Sequence, residues 1–282
     1  MSRKNTDSST KRNDIVNKMV PYILVAVMLV SGFNTLSALK NYREAKKEYT
    51  GLQQYVAPST TVTAEAESTS EEADTDNEVE EVVVKPDIPA MDIDFDSLLE
   101  INEDFKGWLI FPALELSYPV LQGTDNEHYL HETYEHNRNK AGAIFMDSYN
   151  YPDFKDLNTF IYGHNMRDGS MFGSLKTLAE HPELIEQEPY IYVYTPRASY
   201  QFQIVAYYTT HKKSDTYQFI LDLKEYDAYL DYIGSVNDME DIPDVDMSEH
   251  PRMMTLSTCK GSAGTSNRFV VHSVLVDVKK NE

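Results

Sequence analysis

The sequence predicts a mainly β domain with inserted helices, attached to one N-terminal membrane-spanning helix. Three observations lead to this prediction. After about residue 86, short apolar, β-branched and aromatic runs alternate with turn residues, as in a β-barrel or sandwich. Helical spacing of apolar residues interrupts these runs in three places. A long apolar segment follows a basic N-terminus, as in a membrane anchor.

The N-terminal segment is predicted to anchor the chain. Residues 20–39 are about as long as the roughly 20 residues that a membrane-spanning helix requires. A cleaved signal peptide is the alternative, but no small-x-small cleavage site follows before Lys40. The basic tail, residues 1–19, favours a cytoplasmic N-terminus, which makes everything after Leu39 extracytoplasmic.

Residues 40–86 are predicted to link the anchor to the folded domain. Lys, Glu, Ala and Leu in residues 41–55 favour a short juxtamembrane helix. Residues 57–81 consist largely of Thr, Ser, Ala, Glu and Asp and contain no aromatic residue, which predicts a disordered acidic stalk. Residues 87–282 are long enough for one domain with its own core. The net charge of −21 disfavours nucleic acid as a partner.

The domain is predicted to contain eight strands and three helices. A hairpin turn is expected at residues 195–199, where Pro, Arg and Ser separate two strand-like runs. The strands are predicted at residues 108–111, 118–121, 143–146, 159–162, 190–194, 201–208, 253–257 and 269–276, and the helices at residues 95–101, 171–178 and 219–233.

Cys259 is the single cysteine of the chain and therefore the candidate nucleophile. A thiolate nucleophile needs a partner, usually histidine, and groups that stabilise the developing oxyanion. His164 leaves the end of a predicted strand, where a loop can present a reactive group. His272, inside the last strand, is the competing candidate. The remaining histidines are expected on the surface.

Arg268 heads the last predicted strand, nine residues after Cys259. Its fixed charge suits an oxyanion, together with backbone N–H groups. An ordinary surface arginine, solvated or paired with a carboxylate, would fit the same position. Spacing alone does not choose between these interpretations.

Taken together, these segments resemble a sortase of class B over about residues 94–278. The strongest matches are Tyr-Gly-His-Asn-Met at residues 162–166 and Thr-Leu-Ser-Thr-Cys at residues 255–259, with the downstream arginine. Further matches lie at residues 102–108, 118–120, 122–130 and 171–175. The order and spacing of these segments carry the resemblance.

The resemblance implies an eight-stranded β-barrel with appended helices, tethered to the membrane of a Gram-positive cell. It also implies that Cys259 is the nucleophile, that His164 is the general acid and base, and that Arg268 stabilises the oxyanion or the substrate. The implied reaction cleaves a C-terminal sorting signal of secreted proteins, of the type Asn-Pro-x-Thr-x, after Thr. A thioacyl-enzyme then transfers the protein to an amine of the peptidoglycan cross-bridge or of its lipid-linked precursor.

The same matching selects residues expected to contact the sorting signal. These candidates are Asn126, Leu130, Tyr162, Ser257 and Thr258. Core packing is the alternative for Leu130 and Tyr162, and an Asx-type turn is the alternative for Asn126. Gly261 stands where some class B sortases carry an acidic residue, which leaves the choice of acceptor open.

Three other functions remain possible at this point. A pilin-polymerising sortase would use a pilin lysine as the acceptor amine. A cysteine endopeptidase would use the same nucleophile with water, although papain-like enzymes place the cysteine before the histidine. A non-enzymatic surface-binding domain would leave Cys259 unreactive. No cofactor or metal site is predicted from the ligand spacing.

Overall fold

A computed structural model describes residues 6–59, 85–240, 243, 245–261 and 265–281. Contacts divide the chain into two compact units, residues 1–47 and residues 48–282. Most of the predicted acidic stalk lies outside the described residues.

The first unit is helical. Helix α1 runs over Thr6–Leu52 and contains a stretch that is long and apolar enough to cross a membrane. This helix agrees with the predicted N-terminal anchor in position and composition. Its last turn, from Glu48 onward, belongs to the second unit.

The second unit is built around a closed barrel of eight strands, as predicted. In chain order they are β3 (Phe105–Phe111), β4 (Leu116–Leu121), β5 (Ile144–Met146), β6 (Asn158–Tyr162), β7 (Tyr190–Tyr194), β8 (Ala198–His211), β9 (Met253–Cys259) and β10 (Asn267–Lys280). Around the barrel the order is β10-β8-β7-β3-β4-β5-β6-β9. Each of the eight predicted runs overlaps one of these strands, and the predicted hairpin turn joins β7 to β8.

Two parallel pairings distinguish this barrel from a simple meander. Strand β4 pairs in parallel with β5, and β6 pairs in parallel with β9. The other neighbours in the barrel are antiparallel. Because parallel strands run in the same direction, the segments that leave β6 and β9 emerge at the same end of the barrel.

A two-stranded ribbon outside the barrel was not predicted. Strand β1 (Val56–Pro58) pairs antiparallel with β2 (Met91–Ile93). Each strand has only three residues, which is too short for an alternating pattern to be recognised. The ribbon places residues 56–58, which follow the predicted juxtamembrane helix, in the same unit as the barrel.

Two of the three predicted helices are present. Helix α2 covers Phe95–Ile101, as predicted, and Asp94 caps it by accepting a hydrogen bond from the backbone N–H of Ser97. Helix α4 covers Leu223–Val236 and therefore begins four residues later than predicted. Its start is fixed by Asp222, whose carboxylate accepts from the backbone N–H of Glu225, in the manner of an N-cap.

The helix predicted at residues 171–178 is wrong. The chain forms only a 3₁₀ segment there, at Leu175–Ala179. Met171 has a positive φ of 54° and bridges back to Asn165, which prevents a helix from starting at that point. The apolar spacing in this segment reflects burial of Met171, Phe172, Leu175 and Leu178. A further helix, α3 (Glu183–Gln187), was not predicted because it is only five residues long.

Candidate active site

The parallel pairing of β6 and β9 brings His164 and Cys259 to the same end of the barrel. Tyr162 lies opposite Ser257 in the register of these two strands. His164 and Cys259 each follow two residues later. The backbone N–H of Gly163 donates to the carbonyl oxygen of Ser257 at 3.2 Å, so the alignment continues past the end of β6.

The antiparallel pairing of β9 with β10 adds Arg268 to the same place. Arg268 lies directly opposite Cys259 in that register. Residues 260–267 separate the two in the sequence. Three residues from three adjacent strands or strand ends therefore converge at one end of the barrel.

A cleft of about 390 Å³ opens at this point. All eight site residues selected from the sequence line it, and their side chains are buried or half-buried. They are Asn126, Leu130, Tyr162, His164, Ser257, Thr258, Cys259 and Arg268. A somewhat larger cavity, of about 450 Å³, lies elsewhere against α3 and β8 and contains none of these residues.

His164 is held by the loop that precedes β5. Its Nε2 atom lies 2.8 Å from the carbonyl oxygen of Leu130. A carbonyl oxygen only accepts hydrogen bonds, so this geometry assigns a proton to Nε2. The backbone of His164 is also fixed, because its carbonyl oxygen accepts from the N–H of Phe172 at 3.0 Å.

Gly163 and Gly142 make room for this arrangement. A Cβ atom on Gly163 would lie 2.5 Å from Cδ1 of Ile144 and 2.7 Å from the ring of Phe172. Gly142 has a φ of +58°, and a Cβ atom there would lie 3.1 Å from Cδ2 of His164. Side chains at either position would therefore displace the imidazole or the loop that holds it.

The residues before Cys259 are tied to their surroundings by their hydroxyl groups. Thr258 Oγ1 donates to the carbonyl oxygen of Gly163 at 2.8 Å, which locks β9 to the residue before His164. Ser257 Oγ lies 2.7 Å from the hydroxyl oxygen of Tyr217. Cys259 itself is a free thiol and is half-buried. These bonds fix the backbone on which the thiol sits.

Arg268 is oriented by its own loop. Its Nη1 atom donates to the carbonyl oxygen of Thr265 at 2.6 Å and to that of Asn267 at 3.1 Å. Burial raises the pKa of Tyr217 to about 12, and the nearby charge of Arg268 opposes that rise whereas Cys259 adds to it. Tyr217 therefore lies within electrostatic range of both groups.

Asp147 organises one wall of the cleft and was not predicted from the sequence. Its Oδ2 atom accepts from Asn126 Nδ2 at 2.9 Å and from the Tyr162 hydroxyl at 2.8 Å. Asn126 Oδ1 accepts in turn from the backbone N–H of Ser148 at 2.8 Å. Burial, followed by the adjacent Asp147 carboxylate, holds the pKa of Tyr162 well above its ordinary value.

These contacts resolve two alternatives that the sequence left open. The Asx-type turn is made by Asp125, whose carboxylate accepts from the backbone N–H groups of Glu127 and His128. Asn126 instead bonds to Asp147 and Ser148. Leu130 and Tyr162 are half-buried and line the cleft, so neither is an interior core residue.

An aromatic and cationic rim completes the cleft and was also missed. It consists of Phe145, Tyr149, Lys212, Tyr217 and Phe219. The rings of Tyr149 and Phe219 meet edge to face with centroids 6.0 Å apart. Most of these residues come from loops, where no periodic pattern marks them. The one signal available in the sequence was the pairs of closely spaced aromatic residues, Tyr149 with Tyr151 and Tyr217 with Phe219.

His272, the competing histidine, has a structural role. It is fully buried, with Nδ1 2.9 Å from Thr255 Oγ1 and Nε2 3.0 Å from the Tyr208 hydroxyl. Burial lowers its pKa to about 3, so it is neutral at physiological pH. It does not line the cleft.

Comparison with known proteins agrees with this geometry. The family model for the sortase domain matches residues 109–276, from within β3 to within β10. Sortase B of Listeria monocytogenes is 35% identical over 181 residues, covering 64% of this chain and 72% of that protein. Sortase B of Staphylococcus aureus is 33% identical over 186 residues, covering 65% of this chain and 75% of that protein.

Solved structures show the same fold. A crystal structure of sortase B from B. anthracis in complex with AAEK1 superposes with a TM-score of 0.64 at 27% identity, covering 84% of this chain and 99% of that structure. The S. aureus sortase B–substrate complex superposes with a TM-score of 0.59 at 31% identity, covering 64% and 84% respectively. The chain therefore belongs to the sortase family, among the B-type sortases, and is a sortase-type cysteine transpeptidase.

Proposed function

We propose that this chain cleaves a C-terminal sorting signal of the type Asn-Pro-x-Thr-x after Thr and transfers the protein to an amine of peptidoglycan or its precursor. One observation carries the proposal. Cys259, His164 and Arg268 line a single cleft at the end of the barrel where β6 and β9 emerge. The family relationship supports transfer to an amine over simple hydrolysis.

In this mechanism Cys259 Sγ attacks the carbonyl carbon of the Thr residue as the thiolate. The tetrahedral intermediate collapses, the C–N bond breaks, and His164 gives a proton to the leaving amine. Because Nε2 of His164 is committed to the Leu130 carbonyl, Nδ1 is the atom that exchanges this proton. A thioester between the Thr carbonyl and Cys259 remains.

The second half of the reaction reverses these roles. An acceptor amine attacks the thioester, His164 takes its proton, and the thiolate of Cys259 leaves. The new amide joins the secreted protein to its acceptor. Atoms and charge balance without a cofactor.

Arg268 stabilises the oxyanion that forms in both steps. Nη1 is held by two carbonyl oxygens of its own loop, so the guanidinium is positioned before substrate arrives. The guanidinium also carries N–H donors on Nη2 and Nε that can bond to the developing charge. Preorganised donors of this kind are worth more than mobile ones, since they need not reorganise during the reaction.

Asn126, Leu130, Tyr162, Ser257 and Thr258 form the surface that contacts the signal peptide. Leu130 offers an apolar contact for the peptide. The hydrogen bonds of Asn126 and Tyr162 with Asp147 shape the opposite wall. Asn126 also positions that wall through Nδ2 and Oδ1, and its amide has a second N–H that can bond to the peptide.

A ligation assay tests the proposal. The full chain in detergent is incubated with Asn-Pro-x-Thr-x and Leu-Pro-x-Thr-Gly peptides and with either a glycine-based acceptor or a lysine-bearing pilin peptide. We expect cleavage after Thr and amine-dependent ligation of the first peptide to the glycine-based acceptor. Preferred ligation to lysine would indicate pilin polymerisation, and water-only products with every acceptor would indicate an endopeptidase.

The proposed location places the barrel outside the cell membrane, with residues 1–19 in the cytoplasm. The basic residues ahead of the apolar segment support this orientation. Cys259 is the single cysteine, so one thiol reports on topology. A membrane-impermeant maleimide should label Cys259 in intact protoplasts. Labelling only after lysis would contradict the orientation, with Cys259→Ala as the background control.

A further inference from the structure

A second cluster of chemically active side chains lies on the segment between β4 and β5. The ligand atoms of His128, Glu132 and His136 all lie within 4.8 Å of one another. His128 Nε2 is already 3.2 Å from Glu132 Oε2. The sequence predicted surface histidines here and no metal site, because the spacing matches no familiar metal motif.

This ligand set suits a divalent transition metal. Two imidazoles and one carboxylate form a common three-ligand zinc set that leaves one position for water. Two ligands at about 2.1 Å from a tetrahedral ion are about 3.4 Å apart, close to the separation of His128 and Glu132. His136 is exposed, so its side chain can rotate to complete the site.

The local charge also favours a cation. Residues 125–140 carry four carboxylates against two cationic side chains, Arg138 and Lys140, so the segment is acidic overall. Imidazole and carboxylate together select Zn²⁺, Ni²⁺ or Cu²⁺ over Ca²⁺, which prefers oxygen ligands alone.

The backbone brings the three residues together before any ion binds. Glu132 and Arg138 form a β-bridge, and the N–H of Thr133 donates to the carbonyl oxygen of Asn137, so the chain reverses at this turn. The carboxylate of Glu48 holds the same turn by accepting from Thr133 Oγ1 at 2.8 Å and from the backbone N–H of Glu135 at 2.9 Å. Because these bonds already order the turn, less conformational entropy is lost when an ion binds.

We propose that His128, Glu132 and His136 bind a divalent transition-metal ion of the Zn²⁺ class. The ion ties residues on both sides of Leu130, whose carbonyl oxygen bonds to His164. Metal binding therefore stiffens the segment that supports the catalytic histidine. The inference stands on the ligand geometry and does not depend on the proposed reaction.

Zinc titration of the full chain in detergent tests the site. The Cys259→Ala background removes the thiolate, which would otherwise compete as a ligand. Zn²⁺ affinity is read by competition with a chromophoric chelator. We expect one equivalent to bind, and His136→Ala or His128→Ala to weaken binding by at least about tenfold. His181→Ala, at an exposed histidine on another part of the chain, is the matched control and should not change the affinity.

Hydrogen–deuterium exchange of the same samples locates the ion. Zn²⁺ should slow exchange in peptides that cover residues 127–142, and His136→Ala should remove this protection. Protection confined to peptides around residues 164 and 259 would overturn the proposal, because the ion would then lie in the catalytic cleft. Undiminished affinity in His136→Ala, or no binding up to about 100-fold excess of Zn²⁺, would also overturn it.

Discussion

His164 and His272 lie in the same barrel, but their surroundings differ in every property that matters for catalysis. His272 lies within β10, is fully buried, and has both ring nitrogens bonded to hydroxyl groups. His164 lies beyond the end of β6, is half-buried in a cleft, and has Nε2 bonded to a backbone carbonyl. The strand interior thus holds a neutral structural imidazole, and the strand end presents a usable one.

The difference shows how this fold separates stability from chemistry. Residues within the strands form buried hydrogen bonds that connect neighbouring strands of the barrel. One such chain of bonds runs through Asn158, Thr255, His272 and Tyr208. Residues at or just past the strand ends, such as Cys259 and His164, line the cleft instead. The parallel pairing of β6 with β9 then brings two such ends together.

Separate replacement of His164 and His272 by alanine should give the largest effects. His164→Ala removes the proposed acid and base, so we expect kcat/KM to fall by about 10² to 10⁴ with little change in thermal stability. His272→Ala leaves a cavity in the protein interior and removes one hydrogen-bond partner each from the buried hydroxyl groups of Thr255 and Tyr208, so we expect a loss of about 2 to 4 kcal/mol in unfolding free energy. Ligation rates and calorimetric melting of both variants provide the measurement.

The opposite pattern would refute the assignment of roles. If His272→Ala abolished turnover per folded molecule while His164→Ala remained active, the catalytic histidine would be His272. His181→Ala serves as a neutral control for removing a surface histidine.

Replacing Arg268 should have the next largest effect. Arg268→Ala removes a positioned oxyanion donor, so we expect kcat to fall by about 10² to 10³ with a smaller change in KM. Arg268→Lys keeps the charge but loses the fork geometry and should recover only part of the rate. Arg197→Ala, at an exposed turn, is the control. Equal rates for Arg268→Ala and the unaltered chain would exclude the proposed role.

The titration of His272 should appear in the pH dependence of stability. Its folded pKa of about 3 lies below the unfolded value of about 6.5, so the unfolded state takes up the proton first. Stability from this residue is therefore complete above about pH 6.5 and is lost as pH falls toward 3. At pH 4.5 the loss amounts to about 3 kcal/mol.

His272→Gln isolates this contribution because glutamine can replace the hydrogen bonds but does not titrate. Urea unfolding at pH 7 and at pH 4.5 should show that the stability of the unaltered chain falls by about 3 kcal/mol relative to that of His272→Gln at the lower pH. A gap that stays constant would mean that the histidine is not held neutral.

The smallest effect is expected at the support of the His164 loop. The Tyr49 hydroxyl donates to the carbonyl oxygen of Gly142 at 2.7 Å, and Gly142 lies against the His164 ring. Tyr49→Phe should cost about 1 kcal/mol of stability and reduce kcat only a few-fold. Tyr151→Phe, at an exposed tyrosine, is the control for the substitution in chemical denaturation and ligation assays. A more than tenfold loss in kcat would contradict this prediction and would mean that the loop at Gly142 contributes directly to the positioning of His164 during the reaction.

Much of the fold was predictable because strand patterns are local. All eight barrel strands were marked by apolar and β-branched runs, and α2 was marked by apolar spacing. The helix prediction at residues 171–178 failed because the backbone turns at Met171, and the apolar residues of this segment are buried without forming a helix. The β1–β2 ribbon was not predicted because strands of three residues are too short to show an alternating pattern of apolar and polar side chains.

The site residues likewise fall into a predictable group and a group that the sequence did not reveal. The candidates Cys259, His164 and Arg268 came from short motifs in fixed order, and the structure brings them to one cleft. Asp147 and the rim residue Tyr217 were missed because their partners, Asn126 and Ser257, are 21 and 40 residues away in the chain. The grouping of His128, Glu132 and His136 likewise depends on a turn that only the folded backbone reveals.

Intact-protein mass spectrometry of the full chain mixed with an Asn-Pro-x-Thr-x peptide, without acceptor, tests the central claim most directly. We expect a covalent adduct on Cys259 with the mass of the peptide up to Thr, and we expect it to disappear when an amine is added. No adduct should form in Cys259→Ala. An adduct on another residue, or amine-dependent ligation by Cys259→Ala, would contradict the claim that the cleft at the β6 and β9 ends performs the reaction.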